Sequence, residues 1–224
     1  MSIRRSQRTS PLRALFLLGA LLVVIFTVPL GVSEGGLDIV AKLVYTLVFC
    51  IGGYLLSSTR RWLVSYLCLA VPTLLVGVVA STLADVQILE LLHSGMTLAL
   101  QFLLIGAVLR FSLFNAEAEK LDRVIAGICG YLILGLLWSN IYEIQLQLNP
   151  ESFVHSDGAA VSRDGGSLLY FSLVTLSTLG YGDITPETDW GRILAAMQAV
   201  AGTLYIAIFI STLVSGLKDR SPKK

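Results

Sequence analysis

The chain of 224 residues is 55% hydrophobic and only 14% charged, and its formal net charge is +1. A composition this apolar is not that of a water-soluble domain and indicates an integral membrane protein. The Lys and Arg residues cluster in a few short polar stretches, and nothing in the sequence suggests a nucleic-acid partner. The three cysteines, Cys50, Cys68 and Cys129, lie in apolar stretches without a histidine at metal-ligand spacing. We expect them to act as small apolar side chains.

Six apolar stretches approach the length of about 20 helical residues that a bilayer core requires. They are residues 12–30, 39–57, 62–83, 88–109, 124–146 and 193–217. A seventh apolar run, residues 168–178, is too short to cross, and it predicts a re-entrant helix that protein or an aqueous pore must surround. The predicted fold is therefore an all-α integral membrane protein. It has six transmembrane helices, with a re-entrant pore helix and a loop between helices five and six.

The basic residues indicate the orientation of these spans. Thirteen of the sixteen Lys and Arg residues fall on one side of a six-span arrangement, and Lys42, Arg163 and Arg192 fall opposite. Because basic residues mark the cytoplasmic side, both termini are predicted to be cytoplasmic, in the cell membrane. The length of the first stretch and Pro29 near its end favour a retained anchor over a cleaved signal peptide.

The polar interruptions divide the chain into four parts. Residues 1–110 are predicted to form an N-terminal four-helix membrane bundle, and residues 111–123 a cytoplasmic amphipathic linker in which charged and apolar side chains alternate in short groups. Residues 124–217 form a C-terminal unit of outer helix, polar loop (residues 149–166), short helix, second loop and inner helix. Residues 218–224 are a cytoplasmic tail too short to bury a core.

The second loop carries the motif with the clearest chemical meaning. Residues 172–183 read SLVTLSTLGYGD, and this segment resembles the pore loop of potassium channels. The resemblance covers roughly residues 121–217, which it identifies as a pore module, and for the first 120 residues it supports only the span count. It implies that four identical subunits form one pore.

We call residues 178–183 the GYG loop, and the resemblance makes it the candidate ion filter. Its members are Thr178, Leu179, Gly180, Tyr181, Gly182 and Asp183. A dehydrated cation in a membrane needs oxygen dipoles in place of its water, and K⁺ is expected at the carbonyls of Thr178, Leu179, Gly180 and Tyr181. For these carbonyls to share one direction the backbone must leave strand alternation, which Gly180 and Gly182 permit. One strand supplies too few oxygens to enclose an ion, so several copies must surround an axis.

The short helix is predicted to support the filter. The support residues are Tyr170, Phe171, Val174, Thr175 and Ser177. The end of the helix near Thr175 and Ser177 should face the pore centre, where its partial negative charge favours a cation. The resemblance implies that Tyr170 and Phe171 brace the filter tyrosine. Val174 stands where some relatives have a glutamate paired with the filter aspartate, so Asp183 must have another partner here.

The inner helix is predicted to line the cavity. The resemblance places Gly202 at a hinge position, and close helix packing is the alternative role for a small residue in a membrane. If Gly202 lies near the cavity, Thr203, Ile206, Ile210 and Val214 share its face because they are spaced by three and four. The last three would then form a hydrophobic constriction.

The fourth apolar stretch lacks the Arg or Lys at every third position that a voltage sensor carries. Between residues 88 and 109 its only ionisable side chains are Glu90 and His93, so we expect no gating through a charged fourth helix. His93 is either a hydrogen-bonded interfacial residue or a pH sensor. Glu143, near the outer end of the fifth stretch, either attracts cations or braces the short helix. Membrane tension and control at the filter alone are further gating possibilities.

The predicted function is passive conduction of K⁺ by a homotetramer in the lipid bilayer, with no organic cofactor. A serine, cysteine or metal constellation suited to catalysis is missing from the sequence, so we do not expect an enzyme. Two alternatives remain open: a less selective monovalent cation channel and a non-channel membrane transport protein.

Overall fold

The computed structural model describes residues 12–28, 44–53, 60–83, 86–114, 120–162 and 166–218. Side chains are described at residues 14–28, 44–53, 63–83, 86–113, 121–162 and 166–212. These residues form helices and one small sheet. The helices are α1 (Leu12–Thr27), α2 (Val44–Gly53), α3 (Arg60–Thr82), α4 (Gln87–Phe114), α5 (Lys120–Leu148), α6 (Gly166–Leu176) and α7 (Asp189–Lys218). The strands are β1 (Phe153–His155) and β2 (Ile184–Pro186).

Four of the described helices are long and apolar enough to cross a membrane. Their apolar spans are Leu63–Thr82, Gln87–Leu113, Leu121–Leu148 and Asp189–Thr212. The first two predicted spans coincide with α1, which has 16 residues, and with the shorter α2. Residues 29–30, 39–43 and 54–57 of those two predictions lie outside the described residues. The chain is thus a mostly helical membrane protein, and the count of six spans stays a prediction.

Helices α4 and α5 pack antiparallel along one seam. Near the end of α5 the seam is polar: the Asn140 side-chain amide donates to the Ser94 carbonyl at 3.0 Å and to Gln101 Oε1 at 3.2 Å. The Gln101 amide in turn donates to the Leu136 carbonyl at 3.1 Å and to the Tyr45 hydroxyl of α2. Polar side chains at membrane depth face the bundle interior, where such partners satisfy them. The seam therefore joins the N-terminal helices to α5.

The opposite end of this seam holds α4 and α5 together through Arg123. Arg123 Nε donates to the Ser112 carbonyl at 2.8 Å, and the Ser112 hydroxyl donates to the Arg123 carbonyl at 2.9 Å. A cation beside the last carbonyls of α4 is favourable to that helix. The predicted linker, residues 111–123, therefore overlaps the last turn of α4 and the first turn of α5, and residues 115–119 lie outside the described part. Its cytoplasmic, amphipathic character stays a prediction.

The polar loop after α5 contains strand β1, which the sequence did not reveal. β1 pairs antiparallel with β2, with Phe153 opposite Pro186 and His155 opposite Ile184. The Ser156 N–H extends the ladder by donating to the Asp183 carbonyl at 2.9 Å. Three-residue strands are too short for an alternating pattern to indicate them. This two-stranded sheet ties the end of the GYG loop to the chain that leaves α5.

A cluster of aromatic rings fixes α6 against α5 and the small sheet. Phe171 meets Tyr142 edge-on with ring centroids 5.1 Å apart, and Phe153 edge-on at 5.4 Å. Around them the buried apolar side chains are Leu146, Val161, Leu168 and Ile184. Edge-to-face contacts of buried rings restrict their orientation. The 11-residue helix α6 is therefore held through its buried face, which includes Leu168 and Phe171.

Candidate ion-binding loop

The GYG loop begins at an unusual helix end. The Leu179 N–H donates to the Val174 carbonyl at 3.0 Å, and the Thr178 N–H to the Thr175 carbonyl at 3.0 Å. These two bonds form a Schellman motif, in which glycine normally takes the left-handed position. Here Thr178 takes it, with φ +59°. A left-handed backbone is an outlier for a β-branched residue, and such strain concentrates at functional sites.

Left-handed residues then alternate along the loop. Gly180 has φ +54° and Gly182 φ +76°, while Leu179 and Tyr181 between them are not left-handed. When residues of opposite hand alternate, neighbouring peptide groups point the same way, with amides on one side and carbonyls on the other. A row of parallel carbonyl dipoles is the arrangement that can replace the water around a cation.

In a single subunit the loop lies at the surface. The side chain of Leu179 is 57% exposed and that of Tyr181 65%. A Cβ added at Gly180 or Gly182 would meet nothing within 4 Å in the subunit. The loop's neighbours inside the subunit are therefore α6, which precedes it, and the small sheet, which follows it.

Tyr170 is the aromatic residue of α6 that supports the loop. Its ring stacks on that of Tyr181, with centroids 6.4 Å apart and planes 7° apart. Its hydroxyl also donates a hydrogen bond to the Asp183 carboxylate, which raises the pKa of Tyr170. Phe171, predicted to share this role, packs instead in the aromatic cluster behind α6. Asp183 thus has Tyr170 as its partner where Val174 offers no carboxylate.

Replacing Tyr170 by phenylalanine should loosen the loop without unfolding the chain. The ring stacking on Tyr181 remains, but the hydrogen bond to Asp183 is lost, so we expect several-fold faster amide hydrogen exchange in the peptide that contains residues 179–183. Exchange mass spectrometry of the purified protein would measure this. Unchanged exchange would show that the hydrogen bond does not hold the loop.

Two further contacts hold the end of α6. The Tyr131 hydroxyl of α5 donates to the Leu176 carbonyl at 3.2 Å, and the Ser177 hydroxyl to the Val174 carbonyl at 3.1 Å. On the other side Gly202 of α7 packs directly against Leu176. A Cβ at Gly202 would overlap the Leu176 carbonyl oxygen and lie 3.0 Å from Leu176 Cδ1. This contact favours close helix packing, rather than a hinge, as the role of Gly202.

Gln198 joins all three helices around the loop, and the sequence reading missed it. The Tyr142 hydroxyl of α5 donates to Gln198 Oε1 at 2.5 Å, and Gln198 Nε2 donates to the Ser172 carbonyl and hydroxyl at 2.9 and 2.8 Å. The Ser172 hydroxyl donates onward to the Gly135 carbonyl at 2.6 Å. Gln198 is the only amide or charged side chain between Arg192 and Lys218. A lone amide in an otherwise apolar helix is the sequence feature that could have identified Gln198 as a residue with buried hydrogen bonds.

The predicted cavity residues lie on one exposed face of α7. Thr203, Ile206 and Ile210 are exposed in the subunit, and the side chain of Val214 is outside the described part. The opposite face carries Tyr205, whose hydroxyl donates to the Gly127 carbonyl of α5 at 2.7 Å. Aromatic side chains on that face fit against small residues of α5, as close helix packing in membranes requires.

The other predicted functional residues contact the N-terminal helices. His93 Nδ1 lies 3.2 Å from the Thr73 carbonyl oxygen, and its ring occupies the space beside Gly77 of α3. This contact favours the hydrogen-bonded role of His93. Glu143 interacts electrostatically with Tyr45 of α2.

Comparison with known proteins finds a family model that covers the GYG loop and the helices on either side of it. Residues 127–218 match a family model described as an ion channel. Over 103 residues the chain is 32% identical to potassium voltage-gated channel subfamily KQT member 3 of Homo sapiens, covering 45% of this chain and 12% of that protein. Over 86 residues it is 34% identical to Shaker-related potassium channel tsha2 of Oncorhynchus mykiss, covering 38% and 16%.

A plant relative matches a shorter segment. Two-pore potassium channel 5 of Arabidopsis thaliana is 41% identical over 51 residues, covering 23% of this chain and 12% of that protein. The chain therefore spans less than a fifth of the length of these three relatives. Together, the matched region and the apolar helices show a membrane protein with an ion-channel region, which points away from an enzyme.

Proposed function

We propose that the chain is one subunit of a potassium-selective channel, and that four identical subunits place their GYG loops around one axis. The observation that carries this proposal is the left-handed backbone at every second residue, Thr178, Gly180 and Gly182. The ion-channel match at residues 127–218 and the printed names of the relatives, which are potassium channels, support it.

In this proposal K⁺ exchanges its hydration water for protein oxygens. The carbonyls of Thr178, Leu179, Gly180 and Tyr181 supply them, with the Thr178 hydroxyl beneath, and K⁺ moves passively between successive sites. The end of α6 adds partial negative charge behind the loop, which favours a cation at the axis. Asp183 closes the loop at its far end, anchored by Tyr170.

Assembly into a homotetramer accounts for the exposed surfaces of the subunit. One loop provides too few oxygens to surround an ion, and four loops around an axis complete the coordination. The same axis would be lined by Thr203, Ile206 and Ile210, which share the exposed face of α7. Val214 continues their spacing, and the apolar members would form a hydrophobic constriction.

The proposal includes a topology of six spans in the cell membrane. Both termini are cytoplasmic because most basic residues fall on one side, and α6 enters the membrane without crossing it. Residues 1–110 form the N-terminal bundle and residues 124–217 the pore module. Gating does not use a charged fourth helix, since the span of α4 carries no ladder of basic residues. No organic cofactor takes part.

The reversal potential tests this function. Purified protein in planar bilayers is placed between opposing K⁺ and Na⁺ gradients, and the voltage of zero current is measured. A value near the K⁺ equilibrium potential supports selective conduction. A value near zero under bi-ionic conditions indicates a less selective monovalent cation channel. No current at any voltage, pH or tension indicates a non-channel membrane transport protein.

A further inference from the structure

One buried amide occupies the junction of the outer helix, the short helix and the inner helix. Gln198 is fully buried, as are its partners Tyr142 and Ser172. Its oxygen accepts from Tyr142 of α5, and its nitrogen donates twice to Ser172 of α6. An amide in an apolar interior is tolerated only where its hydrogen bonds are made, and both ends of Gln198 have partners. The junction is thus an ordered network rather than an apolar contact.

This junction is close along the chain to the GYG loop. Ser172 precedes Val174 by two residues, and the Val174 carbonyl accepts hydrogen bonds from Leu179 at 3.0 Å and from Gly180 at 3.4 Å. Any sliding or rotation of α6 would therefore move the first loop residues directly. Both α7 and α5 restrain α6 through Ser172. Gln198 of α7 donates to Ser172, and the Ser172 hydroxyl donates to the Gly135 carbonyl of α5 at 2.6 Å.

The loop needs such restraint because its backbone is strained. Thr178 is held at φ +59°, and a strained conformation persists only where its surroundings determine it. A binding site for an ion also needs its groups held within about 0.5 Å of the productive geometry, by second contacts that are themselves fixed. The hydrogen bonds of Gln198 are contacts of this kind. They hold Ser172, two residues before Val174, whose carbonyl accepts hydrogen bonds from the first loop residues.

We propose that Gln198 is a positioning residue for ion selectivity, locking α6 in register with α5 and α7 so that the loop carbonyls keep the spacing that favours K⁺ over Na⁺. This inference rests on the proposed function of the GYG loop. Gln198 itself does not contact the ion. Its effect passes through Ser172, Val174 and the first residues of the loop.

Three variants separate positioning from general stability. Gln198→Leu removes the amide at similar volume and leaves the Tyr142 hydroxyl without its acceptor. Tyr142→Phe removes the hydroxyl alone, and the double variant removes both partners. A buried group left unpaired costs more than the removal of both members of a pair, so the double variant should be more stable than Gln198→Leu.

Tyr205→Phe is the matched control. It removes a hydrogen bond between α7 and α5, from the Tyr205 hydroxyl to the Gly127 carbonyl at 2.7 Å. Like Tyr142→Phe it deletes one hydroxyl and keeps the ring, but this bond does not involve α6. Tyr205→Phe therefore measures the effect of losing one hydrogen bond between α5 and α7 that does not involve α6.

Three quantities are measured on each purified tetramer: K⁺ affinity by calorimetric titration with KCl against NaCl, the K⁺ to Na⁺ permeability ratio, and thermal unfolding. We expect Gln198→Leu to lower K⁺ affinity and the permeability ratio by a factor of about 5 to 30, the range that corresponds to the loss of one buried partner. Tyr142→Phe should lower both in the same direction. Tyr205→Phe should reduce stability but leave both at wild-type values.

The decisive comparison is the double variant. If Tyr142→Phe/Gln198→Leu regains stability but keeps low K⁺ affinity, Gln198 positions the loop. If K⁺ affinity follows unfolding temperature across all variants, including Tyr205→Phe, the role is only structural and the inference is wrong. K⁺ affinity within twofold of wild type in Gln198→Leu would overturn it as well. A wild-type protein that does not distinguish K⁺ from Na⁺ would instead overturn the proposed function.

Discussion

Replacing Gly180 by alanine is expected to abolish selective K⁺ current. Gly180 has φ +54° in the middle of the GYG loop, and a side chain in the left-handed region costs about 1–2 kcal/mol per residue. In a tetramer the change acts four times around one axis. We expect the loop to relieve this strain by rotating a peptide group, which turns a carbonyl away from the ion path. Currents of wild type and variant at equal protein density in planar bilayers measure the effect.

Gly158 provides the matched control for this substitution. It has φ +83°, and a Cβ there would meet nothing within 4 Å, as at Gly180. Gly158→Ala therefore introduces comparable backbone strain in the turn after β1, outside the loop. We expect the K⁺ current and its reversal potential to be retained. Selective current in Gly180→Ala, or equal loss in both variants, would contradict an ion-binding role for the loop backbone.

Replacing Gly202 by alanine is expected to destabilise the contact between α6 and α7. A glycine in a helix interior is ordinarily worse than alanine by about 0.5–1 kcal/mol, so the substitution would be favourable on propensity alone. Here the added Cβ overlaps the Leu176 carbonyl oxygen. This atom belongs to the backbone and moves only if α6 moves, so overpacking should reverse the sign and lower stability by about 1–3 kcal/mol.

Unfolding of the purified variant in mild detergent measures this change, and Gly106→Ala is its control. Gly106 lies inside α4, and a Cβ there would meet nothing within 4 Å. That variant should be neutral or slightly stabilised, because alanine is the better helix former. The hinge role predicts another result for Gly202→Ala: unchanged stability with altered opening in single-channel records. That outcome would contradict the packing role.

The long helices were predictable because each shows a continuous apolar stretch. The spans at residues 62–83, 88–109, 124–146 and 193–217 correspond to α3, α4, α5 and α7, whose ends differ from the predicted ones by one to five residues. The added residues include charged and polar side chains, such as Arg110, Asp122 and Arg192, which interrupt the apolar pattern. At the start of α7, for example, the Thr188 hydroxyl accepts the Gly191 N–H at 3.1 Å, as an N-cap does. The strands β1 and β2 were too short to leave a pattern.

The amino-acid sequence by itself determined the apolar spans, the short helix before the GYG loop and the glycines that allow its backbone. These features are local, because span length, charge placement and glycine conformation depend on neighbouring residues. Tertiary structure alone decided that Tyr170 rather than Phe171 meets the loop, that Gly202 faces the Leu176 carbonyl, and that Gln198 joins three helices. A periodic pattern shows which residues share a helix face, but the group opposite that face comes from a distant part of the chain.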